Sequence, residues 1–571
     1  MGENRQSLSR KTGVSPAVNR LYVGIDVGGT HTDGVAVDID AGRIVHKVKV
    51  PTTPDLGECS MAALEDILET VSAESVGRVL LSTTLATNAV ATGLLEPAGL
   101  IILPGPGMNP SFLTSTPDRH AAGGAVDHRG REIAPIDEEE IIRICESLSF
   151  KGISVVAVAG KFAGRNPTQE LKVGELAERY FDHVSLGHRL SGALNFPRRV
   201  ATAFLAASLW RRQKGFIEAI SESVRKRGIT APLFLLRADG GAGLASMVDN
   251  AAQTALSGPA ASIMGALAMN GHEEETITLD VGGTTTDISL ILRGAPLLEP
   301  HGATIGEYKT QIRSLFNRSV AIGGDSEVIF ASGKLLIGPM RRGPAASYGG
   351  PVPTPTDAMV LLGRAAGDET LAENALRPIA REMEVTTETC AMRILEETGK
   401  EIAEAVRDFV SEVNRRPVYT IYELLEGHKV NPKRALLVGG PGRALAPYLE
   451  ARLKVPVHVP PHYDVANAIG AAVAGVTFEV NAAADTARGV LSIPEAGIYR
   501  KISRGYTIGE METECENALR QLAEDSGIKL EAFTPEAVER ESFNIIEDYQ
   551  RAGSIHRLRV QVRPSILCKV E

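Results

Sequence analysis

With 571 residues the chain is too long for one hydrophobic core, so two or three packed units are expected. Apolar residues make up 43% and charged residues 23%, the balance of a folded soluble protein, which excludes a disordered or fibrous chain. The formal charge of −10 offers no global basic field to draw the molecule to nucleic acid or anionic lipid, leaving only local pairs such as Arg198-Arg199 and Arg341-Arg342 as candidate basic patches.

Five cysteines, Cys59, Cys145, Cys390, Cys515 and Cys568, lie far apart with no Cys-x-x-Cys spacing, so neither a zinc site nor a disulfide framework is expected. Residues 1–20 are polar and read as a mobile tail without a secretory h-region, and no later apolar run reaches membrane-spanning length. A cytoplasmic protein with no nucleic-acid or membrane partner is the expectation.

From residue 21 a buried strand, Leu21-Tyr-Val-Gly-Ile-Asp26, runs into a Gly-Gly turn, and strands over 35–37 and 44–50 complete a β-meander. An amphipathic helix over 56–71 and short apolar strands over 79–82, 98–103 and 153–158 give an α/β alternation. A long helix over 197–227 follows, with Pro197 suited to its first turn and Gly228 to its end.

The pattern then restarts: a strand at 233–237, the loop Asp239-Gly-Gly-Ala-Gly243, a helix after Ser257-Gly-Pro259, and a strand at 276–281 entering a second Gly-Gly loop. Gly, Pro and Arg mark a long loop at 338–355, and Glu-, Arg- and Ala-rich helices run on to about 413. A strand at 435–438 meets Gly439-Gly-Pro-Gly442, and 467–475 is a small-residue helix. Helix over 511–525 and alternation over 555–562 give a small α+β appendage. The expected division is a tail 1–20, a first α/β domain 21–196, a second 197–480 carrying a helical insertion, and the appendage 481–571.

The two Gly-Gly loops, Asp26-Val-Gly-Gly-Thr-His-Thr-Asp33 and Asp280-Val-Gly-Gly-Thr-Thr-Thr-Asp287, superimpose as Asp-Val-Gly-Gly-Thr-x-Thr-Asp. A turn requires glycine, but it has no need of two threonines and a second aspartate at matching offsets, so the duplication points to phosphate binding from both sides. Gly28, Gly29, Gly282 and Gly283 let the backbone approach an anion with amide N–H groups toward phosphate oxygens, and Thr30, Thr32, Thr284 and Thr285 can add hydrogen bonds. Asp26 and Asp280 would repel phosphate directly, which suits them to holding Mg2+ through its waters or to accepting a proton.

With Leu436-Leu-Val-Gly-Gly-Pro-Gly442, the paired loops resemble the two phosphate motifs and the adenosine motif of the actin, sugar-kinase and heat-shock-chaperone superfamily. The resemblance implies two ribonuclease-H-like domains with ATP in the cleft between them, and adds Gly439, Gly440 and Gly442 to the cofactor-binding set. Ser82-Thr-Thr-Leu-Ala-Thr-Asn88, Arg237-Ala-Asp-Gly-Gly241, Ser257-Gly-Pro-Ala-Ala-Ser262 and Gly343-Pro-Ala-Ala-Ser-Tyr-Gly349 narrow it further. Over about 21–475 the chain resembles the A-type members of the hydantoinase/oxoprolinase family.

That resemblance implies ATP-dependent opening of a cyclic amide or imide such as hydantoin, 5-oxoproline or a lactam, with Asp26 and Asp280 as catalytic and Mg2+-holding residues. It also implies a B-type partner protein, and a homo-oligomer is the expected assembly. An ATP-driven switch acting on a protein partner, or a small-molecule kinase, would use the same loops.

Other residues carry two readings each. The hydroxyls of Ser82 to Asn88 could reach the cleft, or Thr83 or Thr84 could simply cap a helix. Asp239 could support substrate or a tight turn. His31 could touch phosphate, whereas His120, His128, His183 and His188 read as ordinary surface or hydrogen-bonded residues. Asp325 and Ser347 depart from the family's glycine-richer loop and its frequent cysteine, and Tyr348 and Asp357 could line a pocket or a polar loop.

Overall fold

The computed structural model describes residues 21–113, 116–247, 250–270, 274–415, 429–526 and 534–571. The expected mobile tail 1–20 lies outside the described residues.

Two sheets share one plan. In the first, Leu21–Val27 pairs antiparallel with His31–Asp38, which pairs with Arg43–Pro51, while Val76–Thr83 lies parallel on the other side of Leu21–Val27. Leu233–Leu236 adds parallel to Val76–Thr83, and Ala242–Leu244 closes that edge. In the second sheet Thr276–Val281 pairs antiparallel with Thr286–Leu292 and parallel with Arg434–Val438, which pairs in turn with Val457–His458. This is the ribonuclease-H-like arrangement that the superfamily resemblance implied.

Burial explains the strand sequences. Val23, Ile25 and Val27 are buried on an inner strand, whereas Arg43–Pro51 alternates exposed and half-buried residues along the sheet's edge, with Arg43, Lys47 and Lys49 outward. The helix Leu56–Thr70, capped by the Asp55 carboxylate accepting from the amides of Gly57 and Glu58, lays Leu64 and Ile67 on this sheet.

A four-stranded sheet, His183–Leu186, Val155–Gly160, Ala98–Leu103 and Arg119–Ala121, all parallel, is inserted between Val76–Thr83 and Leu233–Leu236. The helix Phe196–Lys226, 31 residues and therefore about 46 Å long, joins the two. Its Phe196, Val200, Ala203 and Phe204 enter the core of the inserted sheet, and its Ile220 and Val224 enter that of the first sheet.

The division expected at 196/197 therefore does not follow the sheets. Leu233–Leu236 and Ala242–Leu244, assigned from sequence to the second domain, hydrogen-bond into the first sheet. A strand parallel to its neighbour needs a crossover, and here the crossover carries an entire inserted unit, which sequence order alone makes look like a domain end.

The second sheet is covered by Thr387–Arg415, whose Cys390, Ile394, Leu395, Ile402 and Phe409 share its core with Leu279, Ile288 and Leu437. Two helices of small residues, Ser257–Met269 and Ala466–Val473, cross between the sheets. Their contact is backbone on backbone: a Cβ at Gly265 would lie 1.9 Å from the Ala466 carbonyl oxygen, and one at Gly470 would lie 1.9 Å from that of Ala261.

The C-terminal unit is the expected α+β appendage. Its sheet runs Ile498–Lys501, Val490–Ile493, Phe478–Asp485, Gln550–Val562, Glu536–Glu547, with Met511, Cys515 and Leu519 of the helix Ile508–Asp525 in its core. It meets the inserted unit through Arg129 Nε to Asp485 Oδ2, 2.8 Å, and through the Gly192 amide to Glu495 Oε1, 2.6 Å.

Among the described residues no helix is long and apolar enough to cross a membrane. All five cysteines are free, four of them buried, and burial pushes the thiols of Cys145 and Cys390 up to about 11 and that of Cys515 up to about 12. The two candidate basic patches are spent internally. Arg199 is buried and donates to the Gly160 and Ala193 carbonyls, Arg198 donates to those of Gly302 and Thr310, and Arg341 and Arg342 pair with Asp325 and Glu327.

Candidate functional site

The two Gly-Gly loops close in the same way. The Gly28 amide donates to the His31 carbonyl at 3.1 Å, and the Gly282 amide to the Thr285 carbonyl at 2.9 Å. These two amides hold the turns and are not offered to a ligand, contrary to the expectation for Gly28 and Gly282. The exposed tips are Gly29, Thr30 and His31 in one loop and Thr284 in the other, with Gly283 and Thr285 half-buried.

Thr32 is placed elsewhere than expected: it is fully buried, its hydroxyl 3.0 Å from that of Thr52. Its counterpart Thr286 is also buried and donates to the Ile322 carbonyl. The alternation of a strand sends residues 32 and 286 into the sheet while 31 and 285 stay near the cleft.

Each hairpin sets two aspartates directly opposite one another, Asp26 with Asp33 and Asp280 with Asp287. Like charges in that register are unfavourable without compensation. Burial pushes the Asp26 carboxyl up to about 7 against a hydrogen bond from Ser82; Asp33 and Asp280 add to the rise, and Asn467 opposes it. Asp280 is likewise raised by burial, opposed by hydrogen bonds from Ser262 and Asn467. Asp287 reaches about 7 through burial and then Asp280, and its Oδ1 is buried without a partner. Asp33 is raised by burial and held down by its ion pair with Lys49.

The two halves face each other. Asn467, in the first turn of Ala466–Val473, bridges Asp26 and Asp280, its Nδ2 lying 3.2 Å from Asp26 Oδ2. Asp280 feels both Asp33 and Lys49 of the opposite hairpin, and His31 feels Asp325. Burial, then Lys49, holds the His31 imidazole below its ordinary range, so it faces the cleft neutral near pH 7.

The third loop adjoins the second. Gly439, with φ +87°, bonds through its amide to the Tyr463 carbonyl, and a Cβ there would lie 2.6 Å from Asp280 Oδ1. Gly440 is exposed with open space beside it, whereas Gly442 is buried at the start of Gly442–Leu453. The Gly324 and Asp325 amides donate to the Gly282 and Gly283 carbonyls, so 323–326 forms a wall between the second and third loops. Asp325 on that wall is neutralised by Arg341 at 3.0 Å.

Ser82, in the stretch 82–88 whose hydroxyls were expected to reach the cleft or cap a helix, hydrogen-bonds Asp26, whereas sequence reasoning missed Asn467 and Ser262 as site residues. The available signal was a small polar residue within an otherwise apolar run. Several less certain residues prove structural. Thr83 Oγ1 accepts from the Leu85 amide, and Asp239 accepts from the Gly241 amide in a tight turn. Asp357 is buried, accepting from the amides of Ala346, Ser347 and Thr354. Tyr348 is exposed, its hydroxyl donating to the Ala366 carbonyl, and Ser347 is buried. His188 is buried against Glu170, and His183 bonds Ser185 and stacks on Trp210.

Among the described residues no three His, Cys, Asp or Glu side chains form a ready metal-ligand cluster. Two facing carboxylates at raised pKa, one orphaned carboxylate oxygen and open loop tips nonetheless fit Mg2+, which takes one or two carboxylates and fills its shell with water and phosphate oxygens.

Two sequence models of one family match the chain: the Hydantoinase/oxoprolinase N-terminal region over residues 22–181 and Hydantoinase/oxoprolinase over 199–480. The chain belongs to the hydantoinase/oxoprolinase family. Both aspartate hairpins and the Gly439 loop lie inside the matched residues, and most of the C-terminal sheet lies outside them.

Among curated relatives, an uncharacterised protein of Methanocaldococcus jannaschii is 24% identical over 440 residues, covering 67% of this chain and 64% of that protein. The acetophenone carboxylase gamma subunit of Aromatoleum aromaticum is 26% identical over 390 residues, 60% of this chain and 53% of its own. The 5-oxoprolinase 1 of Arabidopsis thaliana is 29% identical over 245 residues, 41% of this chain and 19% of its own. The chain thus spans less than two thirds of the length of each.

The fold is shared with the ATP-dependent caprolactamase of Pseudomonas jessenii, at TM-score 0.71 and 19% identity, covering 96% of this chain and 88% of that one. Acetone carboxylase in its nucleotide-free structure matches at TM-score 0.70 and 16% identity with the same coverage.

Proposed function

We propose that this hydantoinase/oxoprolinase-family chain binds ATP between the 28–31 and 282–285 loops and spends its γ-phosphoryl group on activating a ring carbonyl of a cyclic amide. The observation that carries the reading is the pair of opposed aspartate hairpins facing one cleft, joined by Asn467. Four carboxylates gathered at that cost in charge repulsion are a site prepared for a cation and phosphates.

Amide resonance makes the ring carbonyl a poor electrophile. Attack of its oxygen on the γ-phosphorus, with ADP leaving, gives an O-phosphorylated imidate; water then adds at that carbon, the C–N bond breaks as the ring nitrogen takes a proton and leaves as the amine, and a second water hydrolyses the resulting acyl phosphate to carboxylate and phosphate. The exposed Gly29, Thr30 and Thr284 bind phosphate oxygens, while the open space beside Gly440 leaves room for the nucleoside. Asp26, poised near neutral pH by burial, orients the attacking water and takes its proton. Asp280 and Asp26 would hold Mg2+, which supplies charge neutralisation on the phosphates. Asn467 fixes both carboxylates in one frame.

Purified chain should hydrolyse ATP faster when 5-oxoproline, hydantoin or a lactam is added. Asp280→Asn should abolish that turnover with the fold retained, and absence of stimulation by a broad panel of cyclic amides counts against the reading.

A second reading, ATP-dependent activation of a ketone for carboxylation, is favoured by the match to the acetophenone carboxylase gamma subunit, which covers more of this chain than the 5-oxoprolinase match. Stimulation by an aryl ketone with bicarbonate, and not by lactams, would select it. That relative is one subunit of several, which also supports a partner protein for this chain.

A further inference from the structure

We propose that a cavity away from the aspartate hairpins, where the inserted unit meets the C-terminal sheet, is a binding site for a small doubly charged oxyanion, of the size of phosphate or a four-carbon dicarboxylate. The cavity holds about 260 Å³ and is walled by Arg165 and Gly192 of the inserted unit and by Asn481, Glu539, Arg557 and Arg559 of the C-terminal sheet.

Charge is the first argument. On the cavity lining itself three guanidinium groups face one carboxylate, that of Glu539, while Glu541 and Glu479 stand outside the lining at 3.5 and 4.0 Å from Arg557 and Arg559. The backbone enforces the cluster. Arg557 and Arg559 stand two residues apart on Gln550–Val562 and so share one face of the sheet, and Arg165 is presented by a turn in which its amide bonds the Phe162 carbonyl. Burial, and then Arg557, pulls the Arg165 guanidinium down to about 10.

Unspent donors are the second argument. The Arg165 side chain makes no hydrogen bond or ion pair among the described residues. Arg557 Nη1 lies 3.5 Å from Glu541, and Arg559 Nε lies 3.7 Å from Glu539, with its Nη1 4.0 Å from Glu479; none of these is a hydrogen bond. Nε of Arg557 and Nε of Arg559 are buried without an acceptor. Buried donors in native proteins are nearly always satisfied. Planar guanidinium forks suit paired oxygens, so a dianion would satisfy donors from both units at once and tie them together.

Calorimetric titration of the full chain at constant ionic strength tests this, with inorganic phosphate and succinate as probes and chloride as reference. Binding of either or both supports the site and tells which oxyanion it prefers; binding of neither overturns it. Arg165→Met and Arg559→Met should each weaken binding about tenfold or more. Phosphate affinity unaltered in both arginine variants and abolished by excess ADP would place the anion in the nucleotide cleft and overturn the proposal. Hydrogen exchange on the unaltered chain gives an independent measure: phosphate should protect amides in 161–165 and 555–562, and no protection there refutes the site.

Discussion

Asn467 Nδ2 stands 3.2 Å from Asp26 Oδ2, across the junction of the two halves, and the same side chain hydrogen-bonds Asp280. A neutral amide is suited to this place. It donates to two carboxylates whose mutual repulsion would otherwise drive one of them to protonate. Asn467→Ala should lower ATP turnover about 10- to 100-fold, the weight of a hydrogen bond to a charged group. Steady-state ATPase rates with unchanged circular dichroism check it; a rate within twofold of the parent would show that the bridge is idle.

Asp287 should be a stability cost. Its carboxyl is raised from 3.8 to about 7, by burial first and Asp280 second, so between those pH values the folded state keeps a proton that the unfolded state releases. Stability contributed by the protonated form is therefore lost as pH rises through that window, and the full penalty is present at pH 8. Asp287→Asn should stabilise the nucleotide-free protein at pH 8 by on the order of 1–3 kcal/mol and change little near pH 4. Scanning calorimetry at the two pH values distinguishes this from a pH-independent packing effect.

The crossing of Ser257–Met269 with Ala466–Val473 should tolerate no side-chain growth. A Cβ at Gly470 meets the Ala261 carbonyl oxygen at 1.9 Å and the Gly265 amide at 2.5 Å, both backbone atoms that cannot rotate away. Gly470→Ala should destabilise by at least ~1–3 kcal/mol. Gly440→Ala, with nothing within 4 Å, should leave the denaturation midpoint in place. Equal midpoints for the two variants would contradict the packing described.

His183 and Trp210, the single tryptophan, stack with ring centroids 4.6 Å apart. Burial, then Lys214, lowers the His183 imidazole from 6.5 to about 4, against an opposing pull from Glu96. Between those values the unfolded chain takes up a proton that the folded chain refuses, so this histidine costs stability as pH falls from 6.5 toward 4. His183→Phe should flatten that part of the stability profile. In the parent, Trp210 emission should stay constant from pH 8 to about 5 and change around pH 4; a transition centred near 6.5 would refute the shift.

The repeated Asp-Val-Gly-Gly-Thr-x-Thr-Asp string, its placement after apolar strands, and the later Gly439 loop made the two-sheet fold and the cleft legible in the sequence, because turn chemistry and strand burial are local and leave local marks. The roles of individual residues within the loops were less legible. Gly28 and Gly282 look like phosphate donors in a string but spend their amides on the turn, and Thr32 points into the sheet because a strand alternates. Partnerships across hundreds of residues leave no periodic trace at all. Asn467 meeting Asp26 and Asp280, Leu233–Leu236 returning to the first sheet past an inserted unit, and Arg165 gathered with Arg557 and Arg559 were decided by the tertiary structure alone, since burial and charge act through space while the sequence records only order along the chain.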